Sequence, residues 1–368
     1  MELEIMIRVA TLDDLGRLLE LERRCFDTDR ISRRSFRHLL TRARATTLVW
    51  DDDGVLGGYA LVLFSKGTAL SRLYSIAVDE RMRGRGVGRQ LLAAAERAAL
   101  NRGSVSMRSE IRRDNAPSIA LFQAAGYRQF GEVANYYEDL MDALRFERNI
   151  APEVAGHPLD VPFYRQTTDF TCGPCAAMMA MRALDAGAPF DRAEELRLWR
   201  ESTSIYMASG HGGCGPYGLA VAATKRGFAV DVAVVESGTF LSDTVRNPEK
   251  KEVMRVVEAD YLQQAAQLSV PIRHSAVSLG ELRRRVCDGA VPVVLISSHR
   301  IYEETFPHWV TVTGVGNRYV TVHDPFVDAS EGETVSDSMH MPIAAAEFEQ
   351  MSRYGQSGQR AILFLGVR

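Results

Sequence analysis

Between Asn149 and Asp160 the chain loses its hydrophobic periodicity, and Pro152, Gly156 and Pro158 fall close together. Proline removes a backbone donor and glycine favours turns, so neither a helix nor a strand is expected to run through this stretch. Before it, strands and helices alternate; after it, helices come first and strands later. A break of this kind implies two cores, residues 1–148 and residues 161–368, joined by a linker at 149–160. The length of 368 residues agrees, because single cores stop growing well short of it. The fold class expected is α/β (α+β) in two domains.

Hydrophobic residues make up 46% and charged residues 25%, the profile of a globular chain rather than a disordered one. A net charge of −3 exerts no general pull toward nucleic acid or an acidic membrane. The basic residues are nearly all arginine, a bias that reads as genomic composition. Met1 to Thr11 lacks the charged-then-apolar pattern of a secretory signal, and no apolar run is long enough to span a bilayer. Five scattered cysteines suit free thiols in a cytoplasm better than a disulfide framework. A cytoplasmic protein without nucleic-acid or membrane partners is therefore expected; the sequence leaves its oligomeric state open.

In the first half, Glu4 to Val9 alternates like a strand, and Thr11 opens a helix with Asp14 in the capping-box position. Thr46 to Trp50 and Val55 to Phe64 flank the turn Asp51-Asp52-Asp53-Gly54, a hairpin signal. Leu70 to Val78 is a strand that runs into Arg81-Met82-Arg83-Gly84-Arg85-Gly86-Val87-Gly88, where a helix rich in alanine and leucine begins. Glycines at 84, 86 and 88 present unobstructed amides at a helix N-terminus, where the dipole favours an anion. Arg81, Arg83, Arg85 and Arg89 add charge suited to a pyrophosphate or nucleotide phosphate. Glycine clusters also form plain tight turns, and this spacing is neither a dinucleotide fingerprint nor a P-loop.

The segment Arg83-x-x-Gly86-x-Gly88 resembles the acetyl-CoA motif of the GNAT superfamily, and Asn115 to Phe122 with Gly126-Tyr127 resembles its next helix and strand. Glu22-Arg23-Arg24-Cys25-Phe26, Glu110-Ile111-Arg112 and Asn135-Tyr136-Tyr137 are similar to the ribosomal-protein N-terminal-alanine acetyltransferases. The resemblance implies a GNAT fold with a mixed central sheet and acetyl-CoA as cosubstrate. Backbone amides from Val78 through Gly84, Arg85, Val87 and Gly88 would bind pantetheine and pyrophosphate, with Arg83 and Asn115 beside them. Glu110 would take the proton of a peptide or protein amine; otherwise it is a solvated strand residue. Where the subfamily carries a tyrosine that protonates the departing thiolate, this chain has Phe122, which has no proton to give. Tyr127, Tyr136 or Tyr137 would serve instead, or CoA would leave as the thiolate.

In the second half, Gln166-Thr167-Thr168-Asp169-Phe170-Thr171-Cys172-Gly173-Pro174-Cys175 opens a helix. Cys-Gly-Pro-Cys is also a thiol–disulfide exchange motif, which would make Cys172 and Cys175 a redox pair. That chemistry expects a buried apolar strand before the motif, and Tyr164 to Thr171 is mostly polar. A zinc site would need more ligands than the pair supplies, so no metal is expected. A thiol at a helix start is stabilised as thiolate by the dipole and then needs a base, an orienting carboxylate and an oxyanion donor. His308 begins an apolar strand, Asp324 ends the next, and a turn at Gly316-Asn317 would bring those ends together.

Gln166, Cys172, His308 and Asp324 in this order resemble the papain-like peptidases of family C-thirty-nine, which remove double-glycine leaders from bacteriocin precursors. The likeness spans roughly Val161 to Leu365 and implies a papain-like cysteine peptidase fold. Cys172 would attack a carbonyl, His308 act as base and then acid, and Asp324 orient the imidazole. Gln166 and the Cys172 amide would hold the oxyanion. Without an exporter segment, leader cleavage during export is not implied. A second reading keeps acetyl transfer as the chain's one chemistry, with the second domain as a peptide-binding module. His211-Gly212-Gly213-Cys214-Gly215-Pro216 stays open as a substrate loop, a nucleophile or a tight turn before the helix at Tyr217.

Overall fold

The computed structural model describes residues 7–52, 54–151, 159–204, 212–236, 238–242, 245, 247–303, 306–328 and 334–368. Residues 4–6 of the first expected strand, Asp53 of the hairpin turn, most of the expected linker and His211 lie outside the described residues. The chain divides into two compact units, Met1–Ser65 with Ala69–Val154, and Lys66–Thr68 with Ala155–Arg368. Among the described residues no helix is long and apolar enough to cross a membrane.

In the first unit β1 (Ile7–Val9) leads into a single 3-10 turn at Leu12–Asp14 and then α1 (Leu15–Cys25). The Thr11–Asp14 capping box is present, and Arg8 and Arg17 both pair with the buried Asp14 carboxylate. Their contacts hold Asp14 down to about 2, with the Arg8 hydrogen bond the largest cause. α2 (Arg33–Thr41) is capped by Ser32, whose hydroxyl accepts from the Ser35 amide. β2 (Ala45–Asp52), β3 (Val55–Phe64), β4 (Leu70–Val78), α3 (Val87–Asn101), β5 (Ser106–Arg112), α4 (Ala116–Ala124), β6 (Arg128–Val133) and β7 (Ala143–Asn149) follow.

The sheet runs β1-β2-β3-β4-β5-β7-β6 and is antiparallel except between β4 and β5. Alternating side chains fill both faces. Leu48, Trp50, Ala60 and Val62 pack with Val87, Leu91 and Leu92 of α3, whereas Val49, Tyr59 and Leu61 pack with Leu15 and Leu18 of α1 and Phe36 of α2. Cover on both faces explains why these strands read as nearly continuous apolar runs.

β4 and β5 pair only across Leu70–Arg72 and Ser106–Arg108. Beyond that point β4 stays with β3 and β5 stays with β7, so the two strands splay apart. A bulge in β4 accompanies the parting: Val62 faces Leu73 and Leu61 faces Ser75, which leaves Tyr74 as the extra residue. From Leu73 to Val78 that edge of β4 has no strand partner among the described residues.

The second unit contains α5 (Cys172–Leu184), α6 (Arg192–Ser202), α7 (Pro216–Lys225), β8 (Ala229–Val235), α8 (Pro248–Gln267), β9 (Ile272–Arg273), α9 (Leu279–Cys287), β10 (Val291–Ser297), the short α10 (His299–Tyr302), β11 (Pro307–Val315), β12 (Tyr319–His323), α11 (Val335–Ser338), β13 (Met341–Ala344), α12 (Ala345–Met351) and β14 (Arg360–Gly366). The sheet order is β13-β12-β11-β10-β14-β8-β9, antiparallel apart from β8 with β9. Every residue from Cys172 to Met181 is buried, which suits a helix that is apolar all round. α5 shares its core with Val291, Val293, Leu295 and Trp309 on one face of the sheet. Val294, Ile296, Val310 and Val312 point to the other face, where Leu282 of α9 and Phe348 of α12 cover them.

Candidate functional sites

Cys172 is the first residue of α5, which places its sulfur at the positive end of a helix of 13 residues. β11 and β12 are antiparallel neighbours with Thr311 opposite His323, so the start of one lies beside the end of the other. There His308 Nε2 approaches Asp324 Oδ1 to 2.6 Å, and both side chains are buried. Cys172 faces the same imidazole closely enough to add to the upward pull on its pKa, after Asp324. Burial by itself would strip the ring of its proton. The charge and hydrogen bond of Asp324, joined by Cys172, outweigh it and raise the His308 pKa to about 10. A histidine that keeps its proton beside a sulfur is the partner a thiolate nucleophile needs.

Asp324 is held from several sides. Tyr302 donates its hydroxyl to Oδ2 at 2.8 Å, the Phe326 amide donates to Oδ1 at 2.8 Å, and the Asp324 amide donates to Ser338 O. The Tyr302 and Phe306 rings stand edge-on to the imidazole, 6.0 and 5.7 Å between centroids. This apolar wall strengthens the His308–Asp324 pair by lowering the local dielectric.

Gln166 reaches the same place through its backbone, whose amide donates to Pro325 O at 2.9 Å. Its side chain is buried, and among the described residues Oε1 has no hydrogen-bond partner. The segment from Tyr164 to Thr171 is fixed by one buried carboxylate of α6. Glu195 accepts from the Thr167 amide and hydroxyl at 2.8 Å each, from the Tyr164 hydroxyl at 3.1 Å and from the Thr171 hydroxyl. Thr171 is the N-cap of α5, yet its hydroxyl serves Glu195 rather than its own first turn. The Cys172 and Gly173 amides therefore stay uncapped beside the thiol. Gly173 allows the close approach behind them, since a Cβ there would lie 3.2 Å from both Leu219 and Trp309.

Cys175 and Cys214 are buried thiols. Cys175 is fully buried, and burial, with Glu195 next in effect, pushes its thiol far up. Cys214 is pushed up to about 12 by burial and accepts a hydrogen bond from Ser202. Gly215 and Pro216 lead into α7, so the described part of that loop is the turn before a helix.

In the first unit Gly84 and Gly86 have φ of 76° and 78°, a left-handed backbone that glycine adopts without strain. Gly86 is the N-cap of α3, and no side chain caps the amides that follow. Gly88 packs where a Cβ would touch Leu121 and Val78. Arg83, Arg85 and Arg89 are exposed around this turn. Arg81, counted with them from sequence, instead binds Asp79 through two hydrogen bonds of 3.0 and 2.9 Å and holds that carboxylate down to about 2. Asn115 caps α4, its Oδ1 accepting from the Ser118 amide at 3.1 Å. The left-handed glycines, the uncapped helix start, the exposed arginines and the open edge of β4 fit a pyrophosphate and an extended pantetheine arm.

Glu110 lies across the base of the splay in a buried ion pair with Arg72 at 2.7 Å, not in solvent. Arg72 also donates to the Tyr136 hydroxyl, and the Tyr137 hydroxyl donates to Glu110 O at 3.3 Å. Phe122 is fully buried against Tyr127 and Phe146. Sequence reasoning missed Arg72, Glu195 and Tyr302. A charged residue inside an apolar strand was the one signal that could have singled out Arg72.

Two folded units with these two sites describe an acetyltransferase domain followed by a domain built like a cysteine peptidase. Residues 161–366, more than half of the chain, match the family model described as the Peptidase_C39 like family, and the chain belongs to that family. Residues 14–127 match the Acetyltransferase (GNAT) family. The first unit is a GNAT acetyltransferase domain close to the ribosomal-protein alanine N-acetyltransferases. A Bacillus subtilis protein provisionally named a ribosomal protein bS18 alanine N-acetyltransferase is 29% identical over 140 residues, covering 38% of this chain and 91% of the relative. The Salmonella typhimurium ribosomal protein bS18 alanine N-acetyltransferase is 38% identical over 65 residues, covering 18% of this chain and 44% of the relative. The crystal structure of the Escherichia coli ribosomal-protein alanine N-acetyltransferase matches with 25% identity and a TM-score of 0.37, covering 43% of this chain and 98% of that one.

Proposed function

We propose that the chain is a two-domain cytoplasmic enzyme with its boundary at 149–160. One half transfers acetyl from acetyl-CoA to a peptide or protein α-amine, and the other hydrolyses an amide through Cys172. The observation that carries the second activity is the buried His308–Asp324 pair with a thiol at a helix start acting on the same imidazole.

The Cys172 sulfur lone pair forms a bond to the substrate carbonyl carbon, and the carbonyl π electrons move onto the oxygen. The Cys172 amide and the Gln166 side-chain amide stabilise that oxyanion. As the C–N bond breaks, His308 gives its Nδ1 proton to the departing amine. His308 then takes a proton from water, whose oxygen displaces Cys172 and releases the acid. Asp324 holds the ring in place throughout.

For acetyl transfer, the β4 edge ending at Val78, the turn Arg83-Gly84-Arg85-Gly86-Val87-Gly88 and Asn115 hold acetyl-CoA. The amine nitrogen attacks the thioester after losing a proton, and Glu110 is the acceptor implied by the resemblance. Glu110 would have to leave Arg72 to take it. Amide hydrolysis liberates an α-amine, the acceptor class of the first half, so both halves are proposed to work on one peptide. Unrelated substrates for the two would refute that link.

The decisive measurement is the alkylation rate of Cys172 against pH, located by mass spectrometry, in the parent chain and in His308→Ala. Fast labelling that persists well below the free-thiol pKa of about 8.5, and slows at least ~10-fold without His308, is expected. Slow labelling with ordinary thiol behaviour would leave a peptide-binding module beside an acetyltransferase.

A further inference from the structure

Glu22 of α1 is 2% exposed and, among the described residues, has no cation within ion-pair distance. One carboxylate oxygen accepts from the Ile31 amide at 2.8 Å, and the other accepts from the Tyr59 hydroxyl. That hydroxyl lies 2.7 Å from the Ser75 hydroxyl. Tyr59 is wholly enclosed, whereas Ser75 is half-buried. Ser75 directly follows the bulged Tyr74, on the stretch of β4 that has parted from β5. Two hydroxyls, of Ser75 and Tyr59, thus lead from the open edge of β4 to the Glu22 carboxylate sealed between α1 and the sheet.

Two features separate this carboxylate from Glu110. Glu110 is paired with Arg72, while Glu22 meets only neutral donors. Burial raises the Glu22 pKa, so its ionised form takes a proton more readily than an exposed glutamate would. The titratable or charged groups that face it are Tyr59 from β3, Cys25 from α1 and Arg30 from the following loop. A chain of hydroxyls is the arrangement that lets an enclosed base serve a reacting group it does not touch.

We propose that, in the acetyl-transfer reaction assigned above, the acceptor ammonium loses its proton through Ser75 and Tyr59 to Glu22. The N–H bond breaks toward Ser75 Oγ. The Ser75 proton passes to the Tyr59 oxygen, and the Tyr59 proton passes to Glu22, leaving the amine lone pair free. The nitrogen attacks the thioester, and its second proton goes to the departing CoA sulfur. That step needs no protein acid, which accounts for a phenylalanine at position 122. Glu22 returns its proton to solvent along the same route.

The test is acetyl transfer from acetyl-CoA to short peptides with free N-termini, followed by thiol release across pH in the full chain. Glu22→Gln, Tyr59→Phe, Ser75→Ala and Glu110→Gln are compared, with melting temperature and acetyl-CoA affinity measured for each. Glu22→Gln and Tyr59→Phe should each lower kcat about 100-fold and abolish the acidic limb of its pH profile, with KM and cofactor affinity unchanged. Ser75→Ala, which leaves Glu22 and Ile31 untouched, should lower kcat ~10-fold. If the acidic limb survives in Glu22→Gln and disappears only in Glu110→Gln, the relay is wrong and the acetyl-transfer reading stands. Rates that fall only in step with melting, with an unchanged profile, overturn it equally. A parent chain that binds acetyl-CoA yet acetylates no amine would remove both readings.

Discussion

The His308 imidazole illustrates how one residue couples chemistry to stability. An unfolded histidine titrates near ~6.5, and the folded one near about 10. The native state holds the proton more tightly, so this contribution is complete below pH ~6.5 and is lost as pH rises through about 10. Urea titrations of the parent and His308→Gln check the sign: their difference in stability should be largest near pH ~6 and shrink by pH ~10. Cys175 gives the complementary test. Its sulfur is enclosed beside Glu195, and serine can donate to the same carboxylate. Cys175→Ser should leave Cys172 alkylation and peptide hydrolysis within about threefold of the parent, whereas a redox pair would show disulfide exchange that Cys175→Ser abolishes as fully as Cys172→Ser. Cys172, His308 and Asp324 were legible in the chain because each stands where a periodic element starts or stops. Tyr302 was not, because only the folded strands bring its hydroxyl to Asp324, 22 positions away.

At the scale of elements, α6 acts through a single side chain. Glu195 gathers donors from Tyr164, Thr167 and Thr171 and so sets the path that delivers Gln166 and Cys172. In Glu195→Gln one acceptor oxygen becomes a donor facing other donors. That change should cost on the order of 3 kcal/mol, read as a lowered urea midpoint, and should slow Cys172 alkylation in the remaining folded chain. Undiminished alkylation would show that the loop holds its shape without α6. The strands at Val55–Phe64 and Leu70–Val78 appear at the bounds their apolar runs implied. β8 and β13 had no sequence expectation. β8 interrupts its valines with Ala229, Asp231 and Ala233, and β13 is a four-residue edge strand containing Pro342. The splay of β4 from β5 was equally hidden, since an apolar run does not reveal which edge it leaves unpaired.

At the scale of the whole molecule, each unit has its own sheet and its own buried clusters. A ligand of the first unit should therefore stabilise that unit alone. At ~100 times its Kd, acetyl-CoA should add about 2.7 kcal/mol of protection to the slowest-exchanging amides of α3 and none to those of α5. Hydrogen exchange with and without the cosubstrate measures both at once. Equal protection of α5 would mean that the two cores unfold together.

By itself the sequence determined whatever depends on neighbours along the chain. The capping box at Thr11, the glycines at 84 and 86, and a thiol at the start of α5 all follow from backbone preferences acting over a few residues. The order of Gln166, Cys172, His308 and Asp324 was visible through its resemblance to a peptidase family. Only the tertiary structure decided which distant polar groups share a buried carboxylate. Glu195 came to anchor a loop, Glu110 to pair with Arg72, and Glu22 to end a line of hydroxyls reaching β4. Burying a charge is costly until its donors are in place, and those donors come from separate elements that meet only once the sheet and helices have packed.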